Sequence, residues 1–311
     1  MSDPLLEEAR AAAAAWAQVT GAPVLHMIRE NVIFRVDTDR GPHALRLHRQ
    51  GYHSDGALES ELAWMGMLAC NGMAVPTPLR TRSGDYVHRG VRRASLLSWE
   101  AGEPMGASRQ PLPIEGADRR RAVFYQFGAT IAQVHGLSDR WTPPAGFTRP
   151  AWDCDGLIGE RPFWGRFWEA PFLSAEQCRR FSDFRNTART ELLAADADFG
   201  MIHADLLREN VLVREDSVCL IDFDDCGIGY RGFDLATCLR ANLDEPDYSD
   251  LQAALFEGYA SQRTLPDPEL IPTLLALRAL TYVAWVADRL DEPGMAERVP
   301  SLVATAERLI G

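Results

Sequence analysis

The sequence predicts an α+β protein of two lobes, a small β-rich N-terminal lobe and a larger, mainly helical C-terminal lobe. Short strand-forming runs dominate residues 1–99, and apolar residues recur at helical spacing through residues 105–311. Between them, residues 100–104 read Glu-Ala-Gly-Glu-Pro, a turn-rich segment that we interpret as a hinge. A chain of 311 residues is long enough for two lobes with separate cores.

The N-terminal lobe is predicted to begin with an Ala-rich helix over residues 4–18, which Gly21 and Pro23 end. Strands are expected at 24–29, 32–37, 44–48, 86–88 and 94–99. One helix, 58–70, carries an apolar stripe of Leu58, Leu62, Met65 and Ala69. The C-terminal lobe is predicted to contain helices at 119–135, 173–193, 250–260, 272–290 and 296–309.

The most informative segment is 201–225, MIHADLLRENVLVREDSVCLIDFDD. Its two apolar runs, 211–214 and 218–221, predict a hairpin whose turn is centred on Asp216, and this register places Asn210 opposite Asp222. Opposed residues lie roughly 5 Å apart at Cβ, so both side chains could ligate one Mg²⁺ ion, which accepts a few protein oxygens. Asp205 precedes the first strand and is the candidate catalytic base for phosphoryl transfer.

The residues HADLLRENVLV followed by LIDFDD resemble the aminoglycoside phosphotransferase and choline kinase family, and also the kinase-like homoserine kinases. This resemblance implies a bilobal protein-kinase-like fold, ATP and Mg²⁺ as cofactors, and a small-molecule hydroxyl as the phosphate acceptor. It implies Asp205 as the catalytic residue, with Asn210 and Asp222 as metal ligands. The chain departs from protein kinases by Ala204 in place of Arg in the catalytic loop.

The nucleotide side is predicted from the N-terminal lobe. The turn 30–34 lacks a GxGxxG pattern, and the resemblance implies Asn31 as its polar tip, although an ordinary hairpin turn is an equal alternative. Arg46 replaces the protein-kinase Lys and offers a permanent, forked cation to phosphates. On a helical wheel Glu61 falls inside the apolar arc and Glu59 outside it, so an Arg46–Glu61 ion pair is predicted.

The segment 96–100, which includes Leu97 and Trp99, is expected to line the adenine slot. Its side chains do not identify the base, so ATP is what the resemblance implies.

Other polar residues near the motif are assigned supporting roles. Asp224 is expected to bind a second metal or to orient Asp222, and Arg208 either to meet the γ-phosphate or to be solvated. His203 is interpreted as a brace of its loop, and Asp234 as a helix cap or a tie to that loop. His135 is expected to end its helix in a structural role.

Aromatic side chains precede the catalytic loop and alternate with acids. Two alternatives remain open: they could hold an ammonium group by cation–π contact, or they could pack the helical lobe. The aromatic residues are Trp152, Phe163, Trp164, Phe167 and Trp168, and the acids are Asp153, Asp155, Glu160 and Glu169.

The net charge of −12 argues against a nucleic-acid partner. Six cysteines without a CxxC pair indicate buried thiols in a reducing compartment rather than a zinc site. The apolar run 270–286 contains Pro272 and Arg278 and is interpreted as a buried helix rather than a membrane span. The N-terminus has no cationic signal region, so we expect a cytoplasmic protein without membrane association.

The sequence therefore predicts an ATP- and Mg²⁺-dependent phosphotransferase acting on a hydroxyl of an aminoglycoside, an amino alcohol or a hydroxy amino acid such as homoserine. A protein Ser/Thr kinase is an alternative, although no extended activation segment follows Asp222. A nucleotide-binding pseudokinase scaffold is another. The oligomeric state is not readable from the sequence.

Overall fold

The structure of the chain is a computed structural model, and it describes residues 4–107, 109–215 and 217–311. The chain forms two compact units. The first unit contains the residues up to Glu103 together with Arg140–Arg149 and Cys219–Asp224. The second unit contains Pro104–Asp139, Pro150–Val218 and Asp225–Gly311.

The first unit is an antiparallel sheet with two helices. Its helices are α1 (Pro4–Ala13) and α2 (Asp55–Cys70). Its strands are β1 (Val24–Ile28), β2 (Val32–Thr38), β3 (Gly41–Leu47), β4 (Pro78–Leu79), β5 (His88–Arg89) and β6 (Arg93–Ser98). The sheet order is β1–β2–β3–β6–β4, and β5 also pairs with β6.

The core of this unit forms where α1 covers the sheet. Small alanines on one face of α1 let Trp16, which follows the helix, approach the strands, and Phe34 and Leu45 face it from β2 and β3. Burial alternates along β2, as expected for a sheet with one covered face. The turn between β2 and β3 is closed at Gly41, whose φ of 101° favours glycine.

The second unit is mainly helical. Its helices are α3 (Ala117–Asp139), α4 (Cys154–Ile158), α5 (Ala175–Ala194), α6 (Arg231–Arg240), α7 (Tyr248–Ala260), α8 (Ile271–Ala287) and α9 (Val299–Ile310). Short 3₁₀ helices occur at Phe167–Glu169, Arg208–Asn210, Pro268–Leu270 and Ala296–Arg298. Strands β8 (Ala151–Trp152), β9 (Phe199–Ile202) and β12 (Gly227–Tyr230) form a sheet in the order β8–β12–β9.

Three further strands accompany the motif. Strand β10 (Val211–Val213) pairs with β11 (Val218–Leu220) on one side and with β7 (Glu103–Pro104) on the other. The predicted hairpin of apolar runs is therefore present. Arg214 N donates to Ser217 O at 2.9 Å and closes the connection, whereas the predicted turn centre, Asp216, lies outside the described residues.

Several predicted boundaries are wrong at helix ends. Helix α1 ends at Ala13 rather than near residue 18, and α3 continues to Asp139, four residues past His135. His135 is thus inside a helix, where its side chain is fully buried among hydrogen-bonding partners of the second unit. The expectation that His135 ends its helix is therefore wrong, while its structural role stands.

The 20-residue helical segment Pro268–Ala287, which contains α8, is long and apolar enough to cross a membrane by length and composition. Of its 18-residue apolar window, 72% is buried inside the protein. Arg278 lies within this span and is itself fully buried. The interpretation as a core helix is confirmed by this burial.

No two of the six cysteines, all of which lie in the described residues, are joined in a disulfide. Four of them are buried, as expected, but Cys70 is exposed and Cys178 is intermediate. The prediction that all six are buried is therefore wrong for these two. Cys70 is the last residue of α2, and Cys178 lies in α5, of which three residues are buried.

Candidate active site

The 203–210 loop leaves strand β9 and is fastened by a carboxylate from helix α6. Asp234 Oδ2 accepts the backbone N–H of His203 at 2.9 Å, and Oδ1 accepts that of Ala204 at 2.7 Å. Asp234 is 1% exposed, so these bonds are made away from solvent. The prediction that Asp234 ties this loop to its helix is confirmed.

His135 of α3 supports the same carboxylate. Its Nε2 lies 3.1 Å from Asp234 Oδ2 and its Nδ1 lies 2.9 Å from the hydroxyl of Tyr259. Burial lowers the pKa of His135, and burial also raises that of Tyr259. Burial acts against the charge of Asp234, but the interactions with His135 and His203 together outweigh burial and lower its pKa. A neutral His135 therefore donates from Nε2 to ionised Asp234 and accepts the Tyr259 proton at Nδ1.

The backbone within the loop is strained at one residue. Ala204 has a φ of 67°, in the left-handed region that costs an L-residue roughly 1–2 kcal/mol. Asp234 offsets this cost by binding the N–H groups of Ala204 and its predecessor. His203, whose Nδ1 accepts from Asp205 N at 3.4 Å, braces the loop as predicted.

Asp205 is the centre of the loop, and both of its carboxylate oxygens are engaged. Oδ1 accepts from Arg278 Nη2 at 2.6 Å, and Oδ2 accepts from Asn210 Nδ2 at 2.9 Å. The backbone oxygen of Asp205 accepts from the same amide nitrogen and from Leu207 N. The carboxylate is thus fixed in direction while its side chain stays 19% exposed.

Asn210 ends the 3₁₀ helix of the loop and is 8% exposed. The amide nitrogen of Asn210 donates to both the backbone oxygen and Oδ2 of Asp205, so the amide oxygen is the atom that remains for a cation. A side-chain carbonyl oxygen is a suitable ligand for Mg²⁺. The predicted role of Asn210 as a ligand thus agrees with its chemistry.

The structure contradicts one of the two predicted alternatives for Arg208, that it is solvated. Its side chain is only 4% exposed and donates to Asn242 Oδ1, to the backbone oxygen of Gln110 and to Glu245 Oε1. The expectation that Arg208 is solvated is wrong, because these three acceptors hold its guanidinium inside the second unit. A buried cation paired in this way anchors the loop.

From the sequence, Arg278 was noted only as a charged residue within an apolar run, and no role in the site was predicted for it. It is fully buried, contacts Asp205, and its guanidinium carbon lies 4.8 Å from the ring centre of Trp164 and 4.9 Å from that of Tyr282. A charge in an apolar helix requires a partner, and this was the signal that could have revealed the contact.

The aromatic cluster packs the second unit. Trp152 and Phe167 are fully buried, and Trp164 and Trp168 are 8% and 6% exposed. Trp152 stacks on Phe233 at 5.6 Å. The neighbouring acids Asp155 and Glu160 form surface ion pairs with arginines of α5. The packing alternative is therefore confirmed, and Trp164 in addition lies against Arg278.

In the first unit, Arg46 of β3 and Glu61 of α2 form the predicted ion pair, with both side chains at most 4% exposed. Arg149 approaches the same carboxylate, its Nη1 lying 3.8 Å from Glu61 Oε2. Burial acts against both charges, yet the pairing raises the pKa of Arg46 and lowers that of Glu61. Sequence reasoning missed Arg149, which lies in an irregular segment without periodicity.

Asp222 lies beside this pair within the same unit. Its Oδ1 is 3.9 Å from Arg46 Nη1, and its side chain is 51% exposed. Its φ of 60° is in the left-handed region, where aspartate is one of the less disfavoured residues. A half-exposed carboxylate in a constrained backbone is a suitable cation ligand.

Asp224 is more buried than Asp222. Its backbone oxygen accepts from His53 Nε2 at 2.8 Å and from Arg149. Burial and the charge of Glu61 raise the pKa of Asp224. The backbone around the IDFD segment is thus held by His53 and Arg149, neither of which was predicted from the sequence.

Asn31 does not project from the turn between β1 and β2. It is 8% exposed, and its Oδ1 accepts from Arg49 N at 2.9 Å. The expectation of a polar tip is therefore wrong, because the side chain fastens the turn to the segment after β3. Leu97 is buried in β6, opposite Ala44, and Trp99 meets the ring of His26 edge to face at 4.8 Å.

In the part of the chain that the structure describes, no cluster of three or more His, Cys, Asp or Glu side chains is arranged to hold a metal. Mg²⁺ does not require such a cage, because it keeps waters and substrate phosphates as ligands. The amide oxygen of Asn210, in the second unit, and the half-exposed carboxylate of Asp222, in the first unit, are each an oxygen donor of the kind that this ion accepts.

Comparison with known proteins agrees with these features. A homoserine kinase of Rhizobium rhizogenes is 30% identical over 264 residues, covering 81% of this chain and 75% of that protein. A solved structure of a microcompartment-associated aminopropanol kinase is 27% identical with a TM-score of 0.80, covering 96% of this chain and 94% of that one. An amicoumacin kinase structure, hAmiN, has 16% identity and a TM-score of 0.79, covering 99% and 94%, and shows the fold.

The kinase-like fold and the related proteins define a small-molecule phosphotransferase that acts on hydroxyl groups. Residues 26–270 match the model of the phosphotransferase enzyme family, APH. The chain belongs to this family. The predicted family, the α+β kinase-like fold and the enzyme class are thereby confirmed.

Proposed function

We propose that the chain is an ATP- and Mg²⁺-dependent kinase that phosphorylates a hydroxyl of a small molecule: an amino alcohol, an aminoglycoside or a hydroxy amino acid such as homoserine. The observation that carries this proposal is the fixed carboxylate of Asp205, oriented by Asn210 and Arg278. Relatives named homoserine kinase and aminopropanol kinase support the range of acceptors. The amicoumacin kinase neighbour is described with AMP-PNP and Ca²⁺, which supports a nucleotide and a divalent ion.

In this proposal Asp205 accepts a hydrogen bond from the acceptor hydroxyl and takes its proton as the new O–P bond forms. Asn210 and Asp222 would hold Mg²⁺, which supplies charge neutralisation of the phosphates when bound. Arg46, fixed by Glu61, offers its guanidinium to the phosphates of ATP.

The remaining nucleotide contacts are assigned to the first unit. Asn31 holds the turn that covers the phosphates, and Leu97 and Trp99 line the adenine slot. We also assign the protein to the cytoplasm as a protein without nucleic-acid or membrane partners. The disulfide-free cysteines and the acidic charge support this assignment.

The test is ADP release in the presence of ATP and Mg²⁺, measured across amino alcohols, aminoglycosides and hydroxy amino acids. Asp205→Asn keeps an oxygen for Arg278 but removes the base, so we expect turnover to fall about 10²- to 10⁴-fold. Nucleotide affinity should change by less than about threefold, because Asp205 acts on the acceptor. Chelation of divalent ions should abolish turnover of the wild type.

The matched control is Asp196→Asn, which alters an exposed aspartate of the same unit. It should retain wild-type turnover. Turnover of Asp205→Asn within tenfold of wild type would remove Asp205 as the base.

A further inference from the structure

Two arginines of the second unit lie against one aromatic ring next to Asp205. The guanidinium carbon of Arg240, at the end of α6, is 4.6 Å from the ring centre of Tyr282, and that of Arg278 is 4.9 Å from it. Burial lowers the pKa of Arg240, and the charge of Arg278 lowers it further. Two cations placed so close together repel each other, and nearby anions such as Asp205 offset this repulsion.

The hydrogen bonds of this pair are incomplete. Arg278 is fully buried, and its Nη2 is bound to Asp205, while its Nε and Nη1 have no hydrogen-bond partner. The Nε of Arg240 is likewise buried without a partner. Leaving a buried charged donor unsatisfied costs about 1–3 kcal/mol or more, so these groups are suited to a bound acceptor of hydrogen bonds.

Among the described residues, three carboxylates lie near this pair. Asp205 is hydrogen-bonded to Arg278 and also acts electrostatically on Arg240. Asp244 acts electrostatically on Arg240 as well, but it is 84% exposed and is held by Arg308. Glu209, on the same loop as Asp205, acts electrostatically on Tyr282. The feature that calls for a ligand is therefore the three buried N–H groups without an acceptor, Arg278 Nε, Arg278 Nη1 and Arg240 Nε, rather than an unbalanced charge.

We propose that Arg240 and Arg278 bind a carboxylate of the acceptor, and hence that the acceptor is a small hydroxy acid whose hydroxyl is presented to Asp205. This rests on the proposed function above. A guanidinium matches a carboxylate with two parallel N–H donors, and aromatic faces keep it planar and oriented. Arg278 contacts both the acid site and Asp205, so binding and the reacting hydroxyl are coupled through one side chain.

The same positive charge could instead meet the phosphoryl group that is transferred. These two possible ligands, the acceptor carboxylate and the transferred phosphoryl group, predict different preferences among acceptors. A carboxylate site favours acceptors that carry the acid, whereas a phosphoryl site accelerates all acceptors equally.

The experiment uses pairs of acceptors that differ only in the carboxylate. Homoserine is compared with 3-amino-1-propanol, and threonine with 1-amino-2-propanol, by kcat/KM with ATP and Mg²⁺. Wild type should prefer the acid in at least one pair by about tenfold or more, as expected for charge-assisted hydrogen bonds. Equal use of both members, or a preference for the amino alcohols, would overturn the proposal without harming the assignment as a kinase.

Arg240→Gln should lower the acid-to-alcohol preference at least about tenfold, and Arg240→Lys should restore part of it. The control Arg179→Gln alters an exposed arginine of α5 and should keep the wild-type preference. A loss of kcat/KM that is equal for both members of a pair would assign Arg240 to the phosphoryl group and overturn the carboxylate site.

If no acceptor is turned over, calorimetric measurement of the binding of homoserine or threonine tests the carboxylate site separately from the kinase assignment. Binding of homoserine or threonine that Arg240→Gln weakens at least about tenfold would support the carboxylate site even though the kinase assignment had failed. No binding and no turnover of either acid would overturn the carboxylate site.

Discussion

Glu61 illustrates how far single residues can be read from this sequence. The helical wheel distinguished it from Glu59, and the structure buries Glu61 completely with Arg46 as its partner. Glu59 instead accepts the backbone N–H groups of Tyr86 and Val87 at the edge of the unit. The helical wheel identifies Glu61 because the helical period depends only on the local sequence. The second partner of Glu61, Arg149, is distant in the sequence and is brought close only by the tertiary structure.

Replacing Glu61 by Gln should be strongly destabilising. The change leaves Arg46 and Arg149 buried beside a neutral amide, and breaking a buried pair typically costs about 3–5 kcal/mol. We expect the midpoint of urea unfolding to fall accordingly. Glu7→Gln is the control, because Glu7 is an exposed partner of Arg10 and should change stability by less than about 0.5 kcal/mol. Equal midpoints for the two variants would refute a structural role of the buried pair.

The roles of other site residues could not be predicted from the sequence. The left-handed backbone of Ala204 opposes the local preference of alanine, and it is imposed by Asp234, which lies 30 residues away in the chain. Arg240 and Arg278 come together because α6 and α8 pack on each other. Spacing along one helix carries no information about such a contact.

Among elements, helix cores were predicted well and helix ends poorly. The apolar stripe located α2 from Leu58, but the helix begins at Asp55 because Ser54 caps it, accepting from Ala57 N at 3.2 Å. Helix α5 begins at Ala175 after a capping box of Ser174 and Gln177. Caps depend on single side chains, whereas stripes repeat over several turns and are therefore easier to read.

Helices α3 and α7 approach each other closely through a pair of glycines. A Cβ on Gly128 would lie 1.9 Å from Leu255 O, and one on Gly258 would lie 1.9 Å from Tyr125 O. Both obstacles are backbone atoms, which cannot move aside as a flexible side chain can. The two glycines therefore set the distance between these helices.

Gly128→Ala should destabilise the second unit by about 1–3 kcal/mol, because overpacking outweighs the better helix propensity of alanine. The measurement is the urea midpoint of the variant. Gly56→Ala in α2 is the control, since its nearest neighbour outside the turn is a methyl carbon of Thr148 at 3.4 Å. It should be neutral or stabilising. A Gly128→Ala midpoint at or above that of wild type would contradict the close helix contact.

At the scale of the whole molecule, buried histidines make stability depend on pH. Burial is the main cause that lowers the pKa values of His48, His53 and His135 below the ordinary 6.5. Below pH 6.5 the unfolded chain therefore binds protons that the folded chain does not, and the free energy of unfolding falls as pH falls. The depressed carboxyl pKa values of Glu61 and Asp234 extend the same trend below pH 4.5.

We expect stability to decrease from pH 7.5 to 5, by up to about 1.4 kcal/mol per pH unit for each histidine involved. Urea midpoints measured across this range give the slope. His135→Gln should flatten it, and His26→Gln, which changes an exposed histidine, should not. Stability that is constant or rises towards pH 5 would contradict the burial of neutral histidines.

The left-handed backbone at Ala204 has a consequence for sequence variation at this position. Glycine is the natural occupant of such a conformation, yet it also loses more freedom on folding, by roughly 0.5–1 kcal/mol relative to alanine. This loss offsets only part of the roughly 1–2 kcal/mol that the left-handed conformation costs alanine, and a saturation library should tolerate both residues. Valine and isoleucine would be rejected, because a branched side chain is a severe outlier at positive φ and the site has no exposed surface to receive it. The fold alone therefore restricts position 204 to small side chains, independently of any requirement of the reaction.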